Sequence, residues 1–194
     1  MSNRAEQIRE ALNMFAQSGT APALIGGLAV VAHQVVRATQ DVDFLVEAEA
    51  ADTVHAALLN LGYECIYRSE NAANYVRVSE GLDLLYAHRP LARRLLTQAT
   101  ERETPMGRMR IIRVEGSIGF KLQGFVNDAM RTRNLDDIRA LLAAEAGVPY
   151  APSGDKTLGI DPIAEWLSLM EVVQMLCPTW PVRVQPMQGK HWRL

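Results

Sequence analysis

The chain has 194 residues, with 20 Lys plus Arg against 22 Asp plus Glu and a formal net charge of −2. At 48% hydrophobic and 22% charged residues the composition is globular, which excludes a wholly disordered chain, and the length suits one full domain with an appendage. The near-neutral balance excludes a general nucleic-acid coat but leaves room for a local basic groove.

Ser2 is placed to cap a first helix that runs to about residue 18, with Ile8, Leu12 and Phe15 on one stripe and Gly19 as its stop. Ala23, Leu24 and Ile25 read as a short buried strand. Gly26-Gly27 follows, then a helix over residues 28–34. Residues 41–47 are predicted as a strand and 48–61 as a helix stopped by Gly62. Residues 64–68, 74–78 and 82–87 are three further strands, with turn signals at 69–73 and at Glu80-Gly81. Pro90 opens a helix to about residue 99, and residues 108–114 form a strand. Ser117 is placed to cap a helix to about residue 129, and residues 135–145 make another that ends at Gly147. A helix near residues 162–175 and a Pro-rich tail over 177–194, holding Trp180 and Trp192, complete the chain.

Strands cluster before about residue 115 and helices after it. This order predicts an α/β (α+β) fold: a small mixed, twisted sheet flanked by helices, with a helical C-terminal part. The expected division is 1–115, 116–176 and 177–194. Gly26-Gly27 is not a Gly-x-Gly-x-x-Gly and no Gly-Lys-Ser/Thr occurs, so dinucleotide and P-loop folds lose their main support. No apolar run approaches the roughly 20 residues of a spanning helix, and the polar N-terminus has no apolar signal core. A cytoplasmic protein with no membrane partner is expected. Cys65 and Cys177 are isolated thiols, and His33, His55, His88 and His191 are too scattered for a zinc site.

The chemistry concentrates in three carboxylates. Strand side chains alternate faces, so Asp41 and Asp43 point one way while Val42 and Phe44 point the other. Two like charges on one face repel, and hard divalent cations such as Mg²⁺ remove that cost through oxygen ligation. A bare Asp-x-Asp otherwise reads as a solvated acidic edge. Two features favour the chemical reading here. Gly26-Gly27 after an apolar strand lets backbone N–H groups approach a phosphate chain. Asp83, between Leu82 and Leu84, is costly in an apolar strand unless it faces a polar cleft.

Gly26-Gly27, then Arg37-Ala38-Thr39-Gln40-Asp41-Val42-Asp43, then Asp83, resembles the DNA polymerase beta-like nucleotidyltransferase superfamily. Within it the pattern is similar to the branch of abortive-infection (AbiE-type) toxins of type IV toxin–antitoxin systems. Lys121-Leu122-Gln123-Gly124-Phe125 and Asp137-Ile138 match weaker motifs of that branch, and the likeness spans residues 24–142. Two positions depart from the pattern. Gly27 stands where many members have Ser, and Asn134 stands where many have a carboxylate.

The resemblance implies metal-dependent transfer of a nucleoside monophosphate from an NTP to a hydroxyl acceptor, by a catalytic domain over 1–115. It implies Asp41, Asp43 and Asp83 as catalytic residues and ligands of Mg²⁺ or Mn²⁺, Asp83 also as proton acceptor. It implies Gly26, Gly27, Arg37, Thr39 and Lys121 as nucleotide-binding residues. The implied partners are the NTP, an RNA or tRNA acceptor and a cognate antitoxin protein. An inactive nucleotide- or protein-binding module of the same fold is the alternative. Several residues also carry plainer readings: Lys121 as a snorkelling surface lysine, Arg37 as a counter-charge, and Thr39 as a turn or capping hydroxyl. Asp128, on the Lys121 face of its helix, reads as one half of a surface ion pair. Asp136 and Asp137 suit a helix start, and Arg89, Arg93, Arg94, Arg131 and Arg133 read as solvated faces.

Overall fold

The computed structural model of the chain describes residues 4–39, 41–128, 130, 132–145 and 147. The Ser2 cap, Arg131, Cys177, His191, the helix over 162–175 and the Pro-rich tail lie outside them. The chain divides into two compact units, Met1–Ser117 and Ile118–Leu194.

The first unit is built on a mixed seven-stranded sheet. In chain order it holds α1 (Arg4–Gln17), β1 (Ala23–Leu24), α2 (Gly26–Ala32), β2 (Val42–Glu47), a 3₁₀ turn (Ala48–Ala50), α3 (Ala51–Asn60), β3 (Glu64–Arg68), β4 (Ala72–Arg77), β5 (Glu80–Ala87), α4 (Pro90–Thr97), β6 (Thr100–Thr104) and β7 (Gly107–Ile111). The strand order is β3-β4-β5-β2-β1-β7-β6. The β2–β5 and β1–β7 pairs are parallel and the others antiparallel.

Strand β2 lies at the centre because its sequence can be buried: Val42, Phe44 and Val46 are 0% exposed. Period-two alternation puts these three on one face with Leu82 and Leu84 of β5, their register neighbours or partners. Helix α1 covers that face through Ile8, Ala11, Met14 and Phe15, and the Phe15 ring meets the Phe44 ring edge-on at 5.1 Å. Each such large side chain contributes roughly 1.5–3 kcal/mol by leaving water. The face that α1 covers is therefore fixed by apolar burial, and the carboxylates of the same strands are sent to the other side.

One guanidinium ties α1 to the β4–β5 hairpin. Arg77 Nη2 lies 2.5 Å from Glu10 Oε2 and 2.7 Å from Glu80 Oε2, Nη1 donates to the Leu61 carbonyl at 2.9 Å, and the group stacks over Tyr63 at 4.5 Å. Arg77 and Glu80 are also the last paired residues of the hairpin, so their ion pair closes its two-residue turn.

That turn lies at Val78 and Ser79, two residues earlier than the Glu80-Gly81 signal suggests. Glu80 and Gly81 instead open β5, and Ala72 and Ala73 belong to β4. Val78 takes a positive φ of 56°, a conformation its β-branched side chain does not advertise. Strand β6 is absent from the sequence expectation altogether. Its Thr-Glu-Arg-Glu-Thr run lacks apolar alternation because it is a sheet edge exposed along nearly its whole length, and its charges discourage pairing with another chain.

Helix α5 (Val114–Asn127) runs from the end of the first unit into the second, which also holds α6 (Arg133–Glu145). Ser117 does not cap α5. It lies inside the first turn, buried, and its N–H donates to the Arg113 carbonyl at 3.0 Å. The helix starts three residues earlier, at Val114, which is itself buried. Within the second unit α5 and α6 approach closely at Gly124, where an added Cβ would lie 2.8 Å from Asn134 Nδ2. Leu122, Phe125, Leu135, Ile138 and Leu141 are buried. No helix among the described residues is long and apolar enough to cross a membrane.

Candidate active site

Parallel pairing of β2 with β5 sets Asp43 directly opposite Asp83. Antiparallel pairing of β4 with β5 sets Asn74 opposite Asp83 on its other side. Asn74, Asp83 and Asp43 thus form one row across three neighbouring strands, on the face away from Val42, Phe44 and Leu82. Asn74 Nδ2 donates to Asp83 Oδ1 at 2.7 Å.

Asp41 precedes β2 by one residue, exposed, and leans over β5 at Gly81. A Cβ on Gly81 would lie 3.0 Å from Asp41 Oδ1. The three predicted carboxylates therefore occupy two successive levels of one face, Asp41 beside Gly81 and Asp43 beside Asp83. Burial pushes the Asp83 carboxyl above its ordinary value of 3.8, the Asn74 amide opposes this, and the charge of Asp41 adds to the rise.

The two glycines are bare for two different reasons. Gly26 has φ +65°, and its missing Cβ would overlap the Asp43 carboxylate and lie 2.8 Å from Asp43 Cβ. Ile25 N–H also donates to the Asp43 carbonyl at 2.9 Å, so the turn is fastened to β2 by its backbone. A Cβ on Gly27 would overlap Thr39 Oγ1 and lie 2.8 Å from Arg37 Nη1. The loop between α2 and β2 therefore folds back over the diglycine turn. It brings a hydroxyl and a guanidinium beside Gly27, while Gly26 abuts a carboxylate. Gly26, Gly27, Arg37, Thr39, Asp41, Asp43 and Asp83 are all gathered at one end of the central strands.

Lys121 belongs to the second unit. Its Nζ lies 3.0 Å from Asp137 Oδ2, with the two side chains only 12% and 5% exposed. This is a buried ion pair, in place of the snorkelling surface lysine of the plainer reading. Asp137 is its partner, while Asp128 is exposed and accepts the Met130 N–H at 3.1 Å. Arg93 of the Arg89, Arg93 and Arg94 group pairs with Glu49.

Asp41, Asp43 and Asp83 supply an all-oxygen, anionic donor set on one face, which is the chemistry Mg²⁺ or Mn²⁺ requires. Among the described residues no three His, Cys, Asp or Glu side chains stand together as a ready metal-holding group. The donor types and their shared face fit such a cation, with Asp83 hydrogen-bonded by Asn74 and Asp41 beside Gly81.

Asn74 is the residue that sequence reasoning missed. It lies in a predicted strand and belongs to no motif. Its one signal is a polar side chain alternating with the apolar neighbours Ala73 and Tyr75, both buried.

No family model and no curated protein matches the sequence. Solved structures do match the fold. The antibiotic-resistance factor ANT(2'')-Ia, solved in complex with adenylyl-2''-tobramycin, aligns with a TM-score of 0.60 at 15% identity, over 90% of this chain and 99% of that one. A lincosamide antibiotic adenylyltransferase with lincomycin bound aligns with a TM-score of 0.55 at 13% identity, over 74% of this chain and 98% of that one. An antigenic nucleotidyltransferase-like protein from Paracoccidioides brasiliensis gives 0.52 at 14% identity, over 92% and 91%.

Proposed function

From a chain that has the polymerase beta-like nucleotidyltransferase fold, we propose a metal-dependent nucleotidyltransferase that moves a nucleoside monophosphate from an NTP to an acceptor hydroxyl. The observation that carries this reading is the register opposition of Asp43 and Asp83 beside Gly26. It puts two carboxylates beside the first turn of α2, with Asp41 one level away.

Asp41 and Asp43 would hold Mg²⁺ or Mn²⁺, with Asp83 as the third ligand. Such a cation, when bound, neutralises triphosphate charge and makes an acceptor hydroxyl more acidic. Asp83 would take the acceptor proton. Arg37 and Thr39, packed against Gly27, would contact the oxygens of a phosphate chain, and Gly26 admits the Asp43 carboxylate beside them. Most of the catalytic task is positioning and charge stabilisation.

The likeness in fold to antibiotic adenylyltransferases supports a small hydroxylated acceptor. A second reading, a toxin with an RNA or tRNA acceptor and a cognate antitoxin, rests on the resemblance of the Arg37-x-Thr39-x-Asp41-x-Asp43 run to the AbiE-type branch. The protein is to be incubated with each labelled NTP, Mg²⁺ or Mn²⁺, and either an aminoglycoside and lincosamide panel or an RNA pool. Labelled acceptor with released pyrophosphate in one arm establishes the activity and its acceptor class. NTP binding by calorimetry with no product in any arm supports the inactive module instead.

A further inference from the structure

We infer that Asn74 is a positioning residue of the candidate site: its amide fixes the Asp83 carboxylate for cation binding. The inference rests on the proposed function and names a residue that reading does not include.

Three observations carry it. Asn74 and Asp43 are the two register partners of Asp83, one on each side, so the row is set by backbone pairing and not by chance side-chain reach. The Asn74 amide donates to Asp83 Oδ1 at 2.7 Å, a short bond of the charge-assisted kind, which occupies one oxygen and fixes the carboxylate plane. The same strand position cannot serve the core, because its neighbours Ala73 and Tyr75 point the other way and are buried while Asn74 stays half-exposed. An amide in this place adds no charge to a face that already holds three carboxylates. It donates to the ionised form of Asp83 and so keeps that oxygen set ready for a cation. Interactions of this kind orient a ligand, and their loss typically weakens metal binding by about 10–100-fold.

The test is Mn²⁺ binding to the full-length protein, measured by calorimetry without nucleotide, for wild type, Asn74→Ala, Asp83→Ala and the double variant. Asn74→Ala is expected to weaken Mn²⁺ binding by about 10-fold or more. It is expected to have no further effect once Asp83 is alanine, because its action runs through that carboxylate. Unchanged Mn²⁺ affinity in Asn74→Ala, or an equal loss in both backgrounds, overturns the assignment and leaves the enzymatic reading standing. Absence of Mn²⁺ binding by the wild type overturns both. Asn74→Ser is the second variant should the alanine protein not fold. Its hydroxyl ends one bond short of the amide nitrogen and does not reach Asp83 Oδ1, so the same loss is expected.

Discussion

Asp43 and Asp83 face each other across a parallel strand pair, register partner to register partner, although 40 residues of chain separate them. Each is flanked by side chains buried on the opposite face. Neither strand can shift by one residue without driving a carboxylate into the apolar layer beneath α1. The packing that folds the sheet therefore also holds the two acids together.

Replacing either acid by its amide keeps the shape and removes the charge. Asp43→Asn and Asp83→Asn are each expected to lower nucleotidyl transfer on the order of 1,000-fold, as loss of several kcal/mol of charge stabilisation requires. Both proteins are expected to stay folded by circular dichroism. Transfer within tenfold of the wild type in either variant would sink the proposed site.

The raised pKa of Asp83 makes a second, purely thermodynamic prediction. Between the ordinary carboxyl value of 3.8 and the raised native value, the native state holds more proton than the unfolded chain. Stability therefore falls as pH rises through that window. Asp83→Asn is released from this penalty. It should be more stable than the wild type at neutral pH and lose that advantage below 3.8. Urea denaturation of both proteins across the acid range checks this, and a difference independent of pH contradicts it.

The diglycine turn should tolerate no side chain, for separate reasons at its two positions. Gly26→Ala forces a positive φ on alanine and drives its Cβ into the Asp43 carboxylate, so a loss of about 1–3 kcal/mol is expected in urea denaturation. Gly27→Ser displaces Thr39 and Arg37. It should raise the KM for NTP more than it lowers stability. Gly27→Ser combined with Thr39→Ala, which clears part of the space, should recover part of that loss in steady-state assays.

The Lys121–Asp137 pair is nearly buried. Removing one partner leaves the other charge without compensation, and Asp137→Ala is expected to cost about 3–5 kcal/mol. The double replacement Lys121→Met with Asp137→Leu should restore most of that stability by urea denaturation. A double variant as unstable as Asp137→Ala would show that the pair is held for shape and not for charge balance.

The sequence by itself determined the periodicities and therefore the faces. Val42, Phe44, Leu82 and Leu84 had to share a buried layer, which sent Asp41, Asp43 and Asp83 to the other side, and Gly26-Gly27 marked where other side chains press against the backbone. What only the tertiary structure decided is which distant residues meet. Strand register chose Asn74 as the second neighbour of Asp83, loop folding laid Thr39 and Arg37 over Gly27, and helix pairing gave Lys121 to Asp137. Local patterns encode the direction a side chain takes, since that follows from the backbone repeat. The identity of its partner is set by pairing between segments far apart in the chain, and it was invisible until the sheet and the helix pair were assembled.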